Sequence, residues 1–199
     1  MLAKKKYDGA IEHFQVLLER FPNSPLAPQA QLSLADAYMK NKDNLEAEVA
    51  YDDFLRLYPT HGKVSYALFE KAEVFYRQVR KPGRDQTKTI EAVKAYKRVL
   101  EQDPSGPYAT AAANRIAELR NRLAESETLV ISSYLKLKEY QSATARARWA
   151  ITEYSDTASL QTLMSLLAKS LEKEGLKEDA AEVRKSLQEK FGGQGDKKR

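Results

Sequence analysis

Three times along this 199-residue chain an alanine stands twelve residues before a proline: Ala10 before Pro22, Ala47 before Pro59 and Ala92 before Pro104. The same frame carries Ala143 to Ser155 and Ala180 to Gly192, so the alanines are spaced 37, 45, 51 and 37 residues apart. The first three share a further pattern, with an aromatic at +4 (Phe14, Tyr51, Tyr96) and an apolar residue at +7 (Leu17, Phe54, Val99). Just before the proline position stand Phe21, Tyr58, Asp103, Tyr154 and Phe191. Self-similarity at this period means an array in which each unit buries its apolar face against its neighbours.

A second kind of segment lies between these. Leu34, Ala35 and Tyr38 precede Ala47 by the offsets at which Leu167, Ala168 and Leu171 precede Ala180; Tyr134 precedes Ala143 likewise, and Leu68, Ala72 and Phe75 take these roles in the third unit. A large–small–aromatic helix A followed by an Ala-x3-aromatic helix B and a proline is the tetratricopeptide pattern. Its logic is packing: the small residue lets two helices approach, the aromatic fills the groove against the next unit, and proline cannot continue the helix. Asn23-Ser24, Thr60 and Ser105 come after the proline as capping residues for the next helix. The expected fold is all-α, a superhelical solenoid over 1–191 with a partial first repeat 1–22 and repeats 23–59, 60–104, 105–155 and 156–191. The sequence RKPGRDQ at 80–86 reads as a loop inserted between the third A and B helices. Residues 108–140 lack Gly and Pro and read as one long helix with apolar positions at Ile116, Leu119, Leu123, Leu129 and Val130. Met1 falls in frame with Tyr38, so the chain is expected to start at the end of a mostly missing first helix A, upstream sequence having been lost. Residues 192–199, GGQGDKKR, read as a stop and a disordered tail.

Composition closes several doors. There is no cysteine, hence no disulfide, thiolate metal site or thiol nucleophile. No apolar run reaches the ~18 residues of a membrane span, and no secretory signal opens the chain. Net charge is +5, but 33 basic and 28 acidic residues alternate at helical spacing, which reads as solvated helix surface and not as a nucleic-acid face. His13 and His61 lie far apart with no partner at metal-ligand spacing and read as exposed or capping residues. Catalytic, cofactor and metal motifs are absent, so the chain reads as a non-enzymatic binding protein without cofactor.

One stripe has the composition of a peptide groove. If Leu68 and Phe75 face helix B, then Tyr66, Phe69, Glu73 and Tyr76 fall on the adjacent face, matched one repeat earlier by Gln29, Leu32, Asp36 and Met39. Grooves of stacked hairpins take extended peptides in aromatic pockets with polar clamps. The alternative is that the neighbouring helix or the insertion covers these rings.

The segment PTHGKVSYALFEKAEVFYRQ at 59–78 and the stretch from RDQTKTIEAVKAY through YATAAANRIAELRNRLA resemble the BamD family, lipoprotein components of the bacterial outer-membrane β-barrel assembly (BAM) machinery. The likeness spans nearly the whole chain, including the Pro59–His61 joint, the Pro104–Tyr108 joint and the long fourth helix A; Gly62 stands where the family often has proline. The resemblance implies five tetratricopeptide repeats on the periplasmic face of the outer membrane, held by an amino-terminal lipid anchor upstream of this sequence. It implies that the amino-terminal repeats (Asp36, Tyr66, Phe69, Glu73, Tyr76) hold unfolded outer-membrane protein segments. It also implies that the carboxy-terminal repeats dock the last periplasmic POTRA domain of BamA through Arg146, among other BAM lipoproteins. Arg146 otherwise reads as a solvent-exposed arginine beside Arg148. FPNSPLAPQAQLSLADAYM is similar also to a Tol-associated cell-division coordinator, which lacks the long helix; a cytosolic peptide-binding co-chaperone or a helical domain of a larger enzyme is the remaining alternative. A lipobox cysteine upstream would favour the first reading.

Overall fold

The computed structural model describes residues 2–192, with side chains from Tyr7 onward. Among the described residues there are nine α-helices and no strand: α1 (Leu2–Arg20), α2 (Ala27–Asn41), α3 (Asn44–Leu57), α4 (Val64–Tyr76), α5 (Thr87–Gln102), α6 (Ala109–Lys136), α7 (Tyr140–Glu153), α8 (Leu160–Glu174) and α9 (Lys177–Phe191). The A helices are α2, α4, α6 and α8, and the B helices are α1, α3, α5, α7 and α9. Ala47, Ala92, Ala143 and Ala180 are each 0% exposed, and their helix-A counterparts Ala35, Ala72 and Ala168 are buried as well. Tyr51, Phe54, Tyr96 and Val99, the +4 and +7 residues of the second and third units, are buried, whereas Ala10, Phe14 and Leu17 of α1 are only partly so. The fold is therefore all-α, built of tetratricopeptide-type hairpins.

The recurrent phrase around each proline is a fixed piece of backbone. The amide of Ser24 bonds to the Phe21 carbonyl and that of Ala27 to Ser24; His61→Tyr58 and Val64→His61, Gly106→Asp103 and Ala109→Gly106, Thr157→Tyr154 and Leu160→Thr157 repeat it, at 2.9–3.2 Å. Two consecutive turns thus join B to the next A in every case. The fourth joint does this with Ser155 where the others have proline, so proline stops helix B without being required for the turn. The expected capping residues sit elsewhere than at the cap. Leu26 and Lys63 hold the N-cap positions of α2 and α4 with no side-chain cap bond, because the double turn already satisfies the first amides. Ser24 Oγ accepts instead from the Leu26 amide, and His61 Nδ1 from the Lys63 amide at 3.1 Å with its ring edge-on to Phe54.

The turn from A to B is equally regular. Lys42, Lys138 and Gly175 take left-handed backbone (φ 70°, 63° and 96°), and the next amide reaches back to Tyr38, Tyr134 and Leu171 respectively. In the third hairpin the 80–86 insertion replaces this turn. The Gln86 side-chain amide donates to the carbonyls of Lys81 and Arg84, both at 2.9 Å, and Arg122 Nη1 to that of Arg80.

Two expectations change at the helix level. α1 runs unbroken from Leu2, with no A–B turn before Ala10; Ala3 and Lys4–Lys6 are strong helix formers and nothing there favours a left-handed residue. Met1 and residues 193–199 lie outside the described residues, so the frame match of Met1 and the tail beyond Gly192 lie outside them too. In α6 the buried positions include the i+4 row Leu119, Leu123, Glu127 and Ile131, with Ala112 and Ala124 beside it, while Leu129 is half exposed. Leu129 Cδ1 lies 3.6 Å from where a Cβ on Gly83 would stand, so it faces the insertion.

The chain divides into two compact units. One comprises Met1–Val79 with Thr87–Ile116, the other Arg80–Gln86 with Ala117–Arg199. The core of the first is centred on Leu32, Ala35, Met39, Ala47, Tyr51, Phe54 and Val74. In the second, Leu119, Ile131, Ala143, Ala147, Leu163 and Leu171 are fully buried.

Candidate functional site

In the first unit the helix-A faces of α2 and α4 carry acids that meet tyrosines from the helices around them. Tyr51, from α3, donates to Asp36 Oδ1 at 2.6 Å, and Tyr66, from α4, donates to the same carboxylate at 2.9–3.0 Å. One repeat later Tyr96, from α5, donates to Glu73 Oε1 at 2.5 Å, and Arg115, from α6, donates there from Nε at 3.2 Å. The arrangement is the same twice: an acid on helix A, the +4 tyrosine of its own helix B, and a donor from the next helix A. This is why the +4 aromatic is tyrosine here; a buried phenol needs an acceptor. Burial, then the hydrogen bond to the carboxylate, pushes the phenols of Tyr51, Tyr66 and Tyr96 far above the usual tyrosine range, so all three stay neutral donors.

Aromatic rings complete the cluster. Phe69 stacks on Tyr108 with centroids 5.0 Å apart and meets Tyr96 edge-on at 5.8 Å; Tyr76 lies 6.5 Å from Tyr96 under the Arg115 guanidinium, 3.9 Å from its ring. All five expected groove residues therefore come together, half-buried, on two adjacent helices. The frame-matched Leu32 and Met39 do not join them: both are buried in the first unit's core, because in α2 those positions turn under Tyr51 and Phe54. Phe69 and Tyr76 occupy the corresponding positions against Tyr96 and share its packing. Sequence reasoning missed Tyr108, Arg115 and Glu70. Glu70 projects beside Asp36 and Glu73, and burial first, then those two carboxylates, raise its carboxyl above the usual range.

The second unit holds Arg146, whose exposure is partial. Its Nε and Nη2 donate to the two oxygens of Glu127 at 2.5 and 2.8 Å, a bidentate pair. Its guanidinium lies 4.6 Å from the Trp149 ring centre. Trp149 meets Tyr154 edge-on at 5.9 Å, and Arg120 approaches the Tyr154 ring while gripping Asp156 and the Glu153 carbonyl. The Glu127 bond, ahead of the opposing desolvation, raises the Arg146 pKa further. Arg148, close by in sequence, is more exposed and meets Asp179 only at 3.5 Å. Glu127 was missed because an acid among the apolar residues of α6 reads as a surface position until Arg146 is seen to reach it.

The profile of YfiO, an outer membrane lipoprotein family, matches residues 1–187. The chain belongs to this family. Among YfiO-family relatives it is similar to the outer membrane protein assembly factor BamD of Neisseria meningitidis (serogroup A, strain Z2491), at 29% identity over 200 residues, 96% of this chain and 75% of the relative. The BamD of Vibrio cholerae serotype O1 is 31% identical over 188 residues, covering 89% and 78% of the two chains. Solved structures similar over most of its length include the MamA protein (17% identity, TM-score 0.39, 98% and 88% covered) and TPR-like repeats of a Podosopora anserina kinesin light chain (15%, 0.44, 96% and 90%).

Proposed function

We propose that this chain is a non-enzymatic scaffold of outer-membrane protein assembly, acting at the periplasmic face of the outer membrane. Family membership across residues 1–187, with BamD relatives similar over most of the chain, is the observation that carries this reading. On it, the first unit receives unfolded outer-membrane protein segments along Asp36, Tyr66, Phe69, Glu73 and Tyr76. Half-buried rings next to carboxylates held by tyrosines are chemically suited to an extended chain: rings take alternate side chains, and the acids accept from its amides or cations. The second unit docks the last POTRA domain of BamA at Arg146, alongside other BAM lipoproteins. The lipid anchor would lie upstream of residue 1.

The groove is tested by photocrosslinking to a peptide from an outer-membrane protein carboxy terminus, with the photoprobe at position 33 of α2. Asp36→Asn and Phe69→Ala are expected to reduce crosslinking severalfold; equal yields in both would return the cluster to a packing role. Docking is tested by POTRA pull-down with Arg146→Glu, its helicity checked by circular dichroism. Undiminished binding at low and moderate salt would remove Arg146 from the interface.

A further inference from the structure

Trp149 is the only tryptophan in the chain, and it is 45% exposed. It stands six residues after Ala143; the same frame position carries Val16, Asp53, Arg98 and Ser186 in the other B helices. Solvent reaches this position in every repeat, and none of the other repeats places a ring there. Beneath it is a second anomaly. Glu127 is buried to 9% exposure in the apolar row of α6, and both its oxygens serve Arg146. A buried carboxylate is expensive and is tolerated only when well paired. Here the pairing fixes a guanidinium whose side chain is still 43% exposed and stacks it on the exposed indole.

We propose that Trp149 is the anchor of the docking surface on the second unit, and that Glu127 is a positioning residue that holds Arg146 and Trp149 in one orientation before the partner arrives. This rests on the docking reading given above. Tryptophan and arginine are among the side chains that dominate interface energies, and Trp149 and Arg146 stack on one another over the buried Tyr154. Locking long side chains in advance removes part of the ordering cost of association. The charge pattern names the chemistry of the partner. Two nitrogens of Arg146 are committed to Glu127, while Nη1 makes no hydrogen bond among the described residues, and Arg148 holds Asp179 only at long range. The occupant is thus an acidic protein surface that brings a carboxylate to Arg146 and Arg148 and an apolar side chain onto the Trp149 ring.

A single tryptophan makes the test direct. The whole chain is labelled with 5-fluorotryptophan, giving one 19F signal, and titrated with the POTRA domain, affinity being measured in parallel by calorimetry. The signal is expected to shift on binding, with Trp149→Ala lowering affinity about tenfold or more and Trp149→Phe restoring most of it. Glu127→Gln is expected to move the 19F signal of the free protein and to weaken binding about threefold to tenfold; circular dichroism checks that Trp149→Ala keeps its helical fold, and Trp149→Phe, which keeps a ring over Tyr154, separates lost binding from lost packing. Binding by the wild-type chain with a stationary 19F signal and undiminished affinity of Trp149→Ala would overturn the proposal while leaving docking intact. No binding by the wild-type chain would overturn the docking reading, and the anchor with it. A shift that tracks the chain's own concentration would give the ring to a second copy and overturn the acidic-partner assignment.

Discussion

Glu70 sits half-buried beside Asp36 and Glu73, whose carboxylates each accept tyrosine hydroxyls while Glu70 accepts none among the described residues. Its raised carboxyl means that the folded chain holds that proton more tightly than the unfolded chain does. Stability from Glu70 is therefore present below its unfolded pKa and lost as pH rises through the higher folded value. Glu70→Gln is expected to raise the thermal midpoint at pH 7 by about 1–3 °C, discounted for solvent screening, and to leave it unchanged near pH 3, where the wild-type carboxyl is protonated in both states. Melting curves by circular dichroism at the two pH values check this, and an equal gain at both would remove the electrostatic cause. The repeat alanines give a second prediction. Ala143→Leu forces a branched side chain into a fully closed crossing and should cost about 1–3 kcal/mol in urea unfolding, whereas Ala10→Leu, at a half-open site on α1, should cost well under half of that. These alanines were legible from sequence because a small residue recurring in frame has one physical use. Glu70 was not, since its environment is set by a neighbouring repeat and by Glu73 one turn along, and neither leaves a mark on local periodicity.

Among the helices and their joints, the A–B turns demand left-handed backbone, and only one of the three regular ones supplies glycine. Lys138 (φ 63°) carries a side chain where Gly175 (φ 96°) carries none. Lys138→Gly is expected to stabilise the chain by about 0.5–1 kcal/mol and Gly175→Ala to destabilise it by about 1 kcal/mol, both read from urea midpoints at constant m-value. The opposite ordering would mean that the backbone there relaxes freely. Helix boundaries near the prolines were readable because proline and its flanking polar residues terminate helices by known chemistry. The double turn was not readable as such: its bonds are backbone to backbone, and the serine and threonine expected as caps have no signature that separates capping from a turn role. The α6 register slipped for a related reason. Leu129 and Val130 look like core by hydrophobicity, whereas the true i+4 row includes Glu127, and an acid at a buried position becomes sensible only once Arg146 is known to reach it.

For the molecule entire, the all-α repeat architecture was legible from spacing alone, but what the repeats hold was not. The acid–tyrosine pairs of the first unit join residues 15 and 23 apart in the chain, and the Glu127–Arg146–Trp149 row of the second unites α6 with α7. Both are products of stacking. Periodicity says that such surfaces will form; their chemistry depends on which side chains the stacking brings face to face. Scaffolding of outer-membrane assembly has its sharpest test in depleting this gene product from the organism that carries it and quantifying folded outer-membrane β-barrel proteins by heat-modifiable gel mobility. Folded barrels are expected to fall while unfolded precursors accumulate, with recovery on supplying the wild-type gene and impaired recovery with Asp36→Asn/Phe69→Ala or Trp149→Ala. Undiminished folded barrels in depleted cells would refute the scaffold role.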